Sequence, residues 1–98
     1  MQPLIDGLIY IVDDDASVRE ALAWLLRSRR LASEHFGSAE AFEQLLAQGP
    51  LPDQPRCLLL DVRMPGTSGL VLFDRLAERG LLDAMPVIFL TEIGRAHV

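Results

Sequence analysis

Three short apolar runs, each closed by an oxygen-bearing side chain, constrain this chain more than any other feature. Leu8-Ile9-Tyr10-Ile11-Val12 runs into Asp13-Asp14-Asp15, Cys57-Leu58-Leu59-Leu60 into Asp61, and Val87-Ile88-Phe89-Leu90 into Thr91. Runs this short, without polar alternation, suit strands covered on both faces, as in a parallel sheet. Open parallel sheets bind ligands beyond the carboxyl ends of their strands. The pattern therefore gathers acids and a hydroxyl at one sheet edge, where they repel one another unless a cation or proton intervenes.

The segments between the runs read as helices. Val18, Ala21, Leu22 and Leu25 share one face of a helix expected over Ala16 to Arg29, with Trp24 half-buried at its margin. Leu31 to Phe36 is more polar and reads as an edge strand. Ser38 is a good N-cap for a helix over Ala39 to Gln48, with Phe42, Leu45 and Leu46 inward. Met64-Pro65-Gly66-Thr67-Ser68-Gly69 is a loop opening a helix that runs to Arg79 and is stopped by Gly80. That helix is expected to turn Leu70, Phe73, Leu76 and Ala77 inward. Pro86 opens the last strand. Strands alternating with helices at this spacing imply βαβ units with right-handed crossovers.

The bulk properties narrow the function. Ninety-eight residues, half of them hydrophobic, make one modest domain with a real core. A net charge of -5 speaks against nucleic-acid binding by this segment itself. No apolar run approaches the roughly 20 residues that span a bilayer, and Met1 to Gly7 lacks the basic start of a secretory signal. With a single cysteine, Cys57, read as a small core residue, a cytoplasmic location and no membrane partner are expected.

Asp13, Asp14 and Asp61 carry the chemistry. Acids after a strand also suit a helix N-terminus, and Asp15 fits that role. Asp61 is harder to explain so, because a lone carboxylate behind an apolar run is costly to bury without a partner. A shared Mg²⁺ answers both acids and the site, since that ion takes oxygen ligands in octahedral geometry and binds through a few carboxylates. A carboxylate beside it can act as a nucleophile toward a phosphoryl group. Thr91 stands one strand away, placed to hydrogen-bond a phosphoryl oxygen. His35 and the arginines Arg27, Arg29 and Arg30 read as surface residues, the arginines favoured by a helix C-terminus.

Three pieces of sequence, in order and spacing, resemble the receiver domain of two-component response regulators. They are Ile11-Val12-Asp13-Asp14-Asp15, then Leu60-Asp61-Val62-Arg63-Met64-Pro65-Gly66-Thr67-Ser68-Gly69, then Pro86-Val87-Ile88-Phe89-Leu90-Thr91. The wording is most similar to the FixJ-like branch, which usually carries a LuxR-type DNA-binding output. The resemblance implies a flavodoxin-like, CheY-like α/β fold, a parallel sheet with helices on both faces and strand order 2-1-3-4-5. It implies Asp61 as phosphoacceptor, with Mg²⁺ held by Asp13, Asp14, Asp61 and the backbone carbonyl of Arg63. Thr91 becomes the switch hydroxyl, while Pro65 and Gly66 shape the loop that turns the Arg63 carbonyl inward. The implied donor is a phosphohistidine on a sensor histidine kinase. DNA would be met only through a C-terminal output domain, and dimerisation would belong to the phosphorylated full-length form.

The chain departs from that pattern after Thr91. A receiver continues with a helix, a fifth strand ending in Lys and a fifth helix, whereas all nine basic residues here are Arg. The receiver, residues 1–91, is expected to be incomplete, with strands one to four and helices one to three. Glu92-Ile93-Gly94-Arg95-Ala96-His97-Val98 matches no receiver segment. Back-translated as GAG ATC GGA AGA GCA CAC GTC, it is similar to a sequencing adapter read in frame, so residues 92–98 are expected to be foreign. Two other functions compete. A receiver-like interaction fragment that does not switch would need no Lys. An aspartate-nucleophile phosphatase of the haloacid-dehalogenase type needs an acid two positions after the nucleophile, where this chain has Arg63.

Overall fold

In a computed structural model, residues 7–90 are described. The elements run β1 (Leu8–Val12), α1 (Ala16–Ser28), β2 (Ala32–Phe36), α2 (Ala39–Ala47), β3 (Arg56–Asp61), α3 (Gly69–Glu78) and β4 (Val87–Leu90). All pairings are parallel and the strand order is β2-β1-β3-β4. The expected alternation is thus observed, with boundaries within a residue or so of the expected ones. The expected position of Thr91 lies outside the described residues.

The order places the helices. The crossover from β1 to β2 runs one way along the sheet, and those from β2 to β3 and from β3 to β4 run the other way. Right-handed connections then put α1 on one face and α2 and α3 on the other. The main core lies under α2 and α3, where Tyr10, Val12, Leu58 and Leu60 meet Phe42, Leu46, Leu72 and Leu76. Tyr10, Phe36 and Phe42 stack edge to tilted, with ring centroids 5.3–6.1 Å apart. Ile11 is fully buried but outside that cluster, as strand alternation demands of the face toward α1.

Local sequence explains the helix ends. Asp15 caps α1, its carboxylate accepting from the N–H of Ser17 at 2.9 Å. Ser38 caps α2 through the Ala41 N–H, and Ser68 caps α3 through the Val71 N–H. Gly80 closes α3 in the left-handed region at φ 71°, with Leu81 N–H returning to the Leu76 carbonyl. The same closure ends α1, but there the left-handed residue is Arg30 at φ 61°. A side chain at that position is strained, so Arg30→Gly is expected to stabilise the fold by about 0.5–1 kcal/mol. Urea denaturation of the two proteins checks it; an unchanged or lower midpoint would show that the strain is relieved elsewhere.

Two helix phases differ from expectation. In α3 the buried stripe is Gly69, Leu72 and Leu76, while Leu70 and Ala77 are exposed and Phe73 is half-buried. In α1 no residue is fully buried; Val18, Leu22 and Leu26 are half-buried, and Ala21 and Leu25 are exposed. Trp24 is 64% exposed rather than half-buried. Its indole points away from the sheet because the α1 stripe is set by residues 18, 22 and 26. Cys57 is half-buried rather than core, near the amino end of its strand. His35 is exposed on the edge strand, as expected.

Candidate functional site

The sheet reverses its winding between β1 and β3, and both strands end there on an acid. Register pairs Val12 with Leu60, so Asp13 and Asp61 leave the sheet side by side. Asp13, Asp14 and Asp61 each offer a carboxylate oxygen within 4.8 Å of the others. Asp13 and Asp61 are 1% and 2% exposed, whereas Asp14 faces solvent. Among the described residues these three acids form the one cluster arranged to hold a metal ion.

Hydrogen bonds fix the two buried carboxylates but do not satisfy them. Asp13 Oδ1 accepts from the Asp15 N–H at 2.8 Å, and Asp61 Oδ1 accepts from the Arg63 N–H at 3.2 Å. Asp13 Oδ2 is buried with no hydrogen-bond partner. Orphaned acceptors of this kind are rare and ask for a proton or a cation. Burial pushes the Asp61 carboxyl up to about 6; the Arg63 N–H opposes this, and the negative charges of Asp13 and Asp14 add to it. The donor set is all oxygen and mostly carboxylate, which suits a hard divalent cation.

That raised value links the site to stability. The folded chain holds the Asp61 proton more tightly than the unfolded chain, whose carboxyl titrates near 3.8. The resulting stabilisation is complete below about 3.8 and is lost as pH rises through about 6. Without divalent cations, Asp61→Asn is therefore expected to be more stable than the parent at pH 7, by at most about 3 kcal/mol. The difference should close toward pH 4. Chelator-treated denaturation curves at several pH values test this, and a gap that widens in acid would contradict it.

The loop after β3 is tied down from two sides. Met64 is buried in the core beneath it. Glu40, in the first turn of α2, accepts from the Thr67 N–H at 3.1 Å. Hydrogen bonds from its own backbone N–H and from Thr67 hold the Glu40 carboxyl below its ordinary range. Gly66 sits between them at φ 74°, where an added Cβ would lie 3.0 Å from Glu40 Oε2. Pro65 is exposed at the loop tip. The loop's far end is set by Gly69, whose N–H donates to the Val62 carbonyl at 3.0 Å.

Of the expected site residues, the structure brings together Asp13, Asp14 and Asp61, and joins Arg63 to Asp61 through its N–H. Thr91 lies outside the described residues. Sequence reasoning missed Glu40, which holds the loop through Thr67, and Arg19, which donates to the Asp13 carbonyl at 2.7 Å. No local signal says that Glu40 reaches a loop 27 residues away.

A doubly wound parallel sheet, with an acid triad where its winding reverses, defines an α/β domain of the flavodoxin-like class whose three acids could hold a metal ion. The sequence profile described as "Response regulator receiver domain" matches residues 9–97, and the chain belongs to that family, whose members are signalling domains. The chain is 41% identical over 90 residues to the transcriptional regulatory protein TdiR of Thauera aromatica, covering 92% of this chain and 37% of TdiR. It is 43% identical over 86 residues to the transcriptional regulatory protein FixJ of Azorhizobium caulinodans, covering 88% of this chain and 38% of FixJ. Among solved structures it is similar to FixJ-N, with a TM-score of 0.74 and 33% identity over 93% of this chain and 66% of that one. The chain thus spans less than half the length of these two regulators. No helix among the described residues is long and apolar enough to cross a membrane.

Proposed function

We propose that Asp61 accepts a phosphoryl group and that Asp13, Asp14, Asp61 and the Arg63 backbone carbonyl hold the Mg²⁺ that supports the transfer. The observation that carries this reading is the pair of buried carboxylates at the winding reversal, one with an orphaned oxygen. When bound, the ion neutralises charge on the equatorial oxygens of a loose phosphoryl transition state. The chain's own residues do the rest. The Arg63 N–H holds Asp61 in place, so that one carboxylate oxygen attacks phosphorus. The phosphorus–nitrogen bond to an imidazole of a sensor histidine kinase breaks as the acyl phosphate forms. Asp14, exposed at the rim, faces the entry side. Pro65 and Gly66 keep the loop in the conformation that presents Arg63. Thr91 serves as the switch hydroxyl. The domain assists both its own phosphorylation and its dephosphorylation, without turning over a substrate as an enzyme does.

In a longer protein this domain would regulate transcription, the role given in the names of TdiR and FixJ. DNA would then be bound by an output domain beyond the receiver, in a dimer formed on phosphorylation. Residues 92–98 are proposed to be adapter-derived, and rereading the source DNA past the Thr91 codon tests that separately.

The test of the central reading is incubation with acetyl phosphate. One phosphoryl group per chain is expected with Mg²⁺ and none with chelator. Steady release of inorganic phosphate without a labelled chain would indicate a phosphatase instead. Absence of labelling, with partner binding kept, would indicate a bare interaction module.

A further inference from the structure

Arg19 sits in the first turns of α1, half-buried, beneath the acid cluster. Its Nη1 donates to the Asp13 backbone carbonyl at 2.7 Å. Its own N–H donates to the Asp15 carbonyl at 3.1 Å, and Asp15 N–H in turn donates to Asp13 Oδ1. The Asp13 N–H is meanwhile held by the Phe36 carbonyl at the end of β2. The guanidinium thus closes a ring of bonds around the Asp13 backbone while making none to its carboxylate. Its Nε is buried with no hydrogen-bond partner, a cost that packing alone does not explain. Room for the group is left by Gly37, where an added Cβ would lie 3.3 Å from Nη1.

We infer that Arg19 is a positioning residue for the cation site: by clamping the Asp13 carbonyl it keeps the Asp13 carboxylate aimed into the cluster with Oδ2 free. The inference rests on the cation site proposed above. Supports of this kind, one bond removed from the metal ligands, commonly change metal affinity by about 10- to 100-fold when removed. A guanidinium reaches and fixes the carbonyl where a flexible ammonium does not.

The test measures Mn²⁺ binding to the 98-residue chain, from the loss of the free-ion electron paramagnetic resonance signal, alongside metal-free thermal melting. Arg19→Met keeps the apolar stem and is expected to bind Mn²⁺ about tenfold more weakly. Arg19→Lys, which keeps the charge but not the reach, should fall between the two. A folded Arg19→Met chain with parental Mn²⁺ affinity and only a lowered melting temperature overturns the inference, because Arg19 is then structural alone. If Arg19→Met does not fold, Arg19→Lys decides: reduced affinity supports the clamp, and parental affinity overturns it. A parental chain that binds no Mn²⁺ removes the cation site, and this inference with it.

Discussion

Asp61→Asn is expected to reduce phosphoryl labelling from acetyl phosphate and Mg²⁺ to background, while the fold is kept. The amide is nearly the same size and shape as the carboxylate, so the core beneath it is not disturbed. What disappears is the carboxylate oxygen proposed to attack phosphorus. Asp13 is also buried beside it, but its unpartnered Oδ2 is the oxygen assigned above to the cation, and its backbone is bonded on both sides. Asp13→Asn should therefore impair labelling through the cation and recover partly at high Mg²⁺, whereas Asp61→Asn should not recover at any concentration. Intact mass and hydroxylamine-lability of the label read both. Undiminished labelling of Asp61→Asn would move the acceptor to another residue and overturn the assignment.

Gly69→Ala is expected to be the most damaging small substitution among the described residues. An added Cβ there would overlap the Asp61 carbonyl oxygen and crowd the Val62 backbone. Both neighbours are main chain, so no side-chain rotation relieves the clash. Either α3 moves off the sheet, taking Leu72 and Leu76 out of the core, or the end of β3 shifts and Asp61 leaves the triad. The first costs about 4 kcal/mol or more, a large share of the stability of a domain this size. The second spares stability at the expense of cation binding. A far-ultraviolet melt together with Mn²⁺ binding separates the two routes. Parental behaviour in both would mean that the close approach of Gly69 to β3 is not required.

The same glycine explains what the sequence concealed. Leu70, Val71, Leu72 and Phe73 are four consecutive apolar residues, and periodicity alone does not say which of them faces the core. The contact of Gly69 with the end of β3 sets the rotation of α3, and Leu72 rather than Leu70 turns inward. The strands were legible as uninterrupted apolar runs, even in β4, where Ile88 is exposed, and the acids that close β1 and β3 mark the site directly. The edge position of β2 was legible for the opposite reason: Ser33, Glu34 and His35 interrupt its apolar character. Arg19 and Glu40 were not legible, since each acts on backbone atoms that only the tertiary fold brings near. Trp24 was misjudged because its place at the margin of a helical stripe depends on a rotation that only packing decides.

The side-by-side exit of β1 and β3 has a thermodynamic side. Asp13 and Asp61 become neighbours only when two distant strands have paired in register. No unfolded chain presents that geometry, so a divalent ion held by the proposed site would bind the native state alone. Linkage would then make the ion a chaperone of the register: each tenfold rise in free cation above its dissociation constant would add about 1.4 kcal/mol to folding. The ionic composition of its surroundings would thus set how much mutational load this domain tolerates.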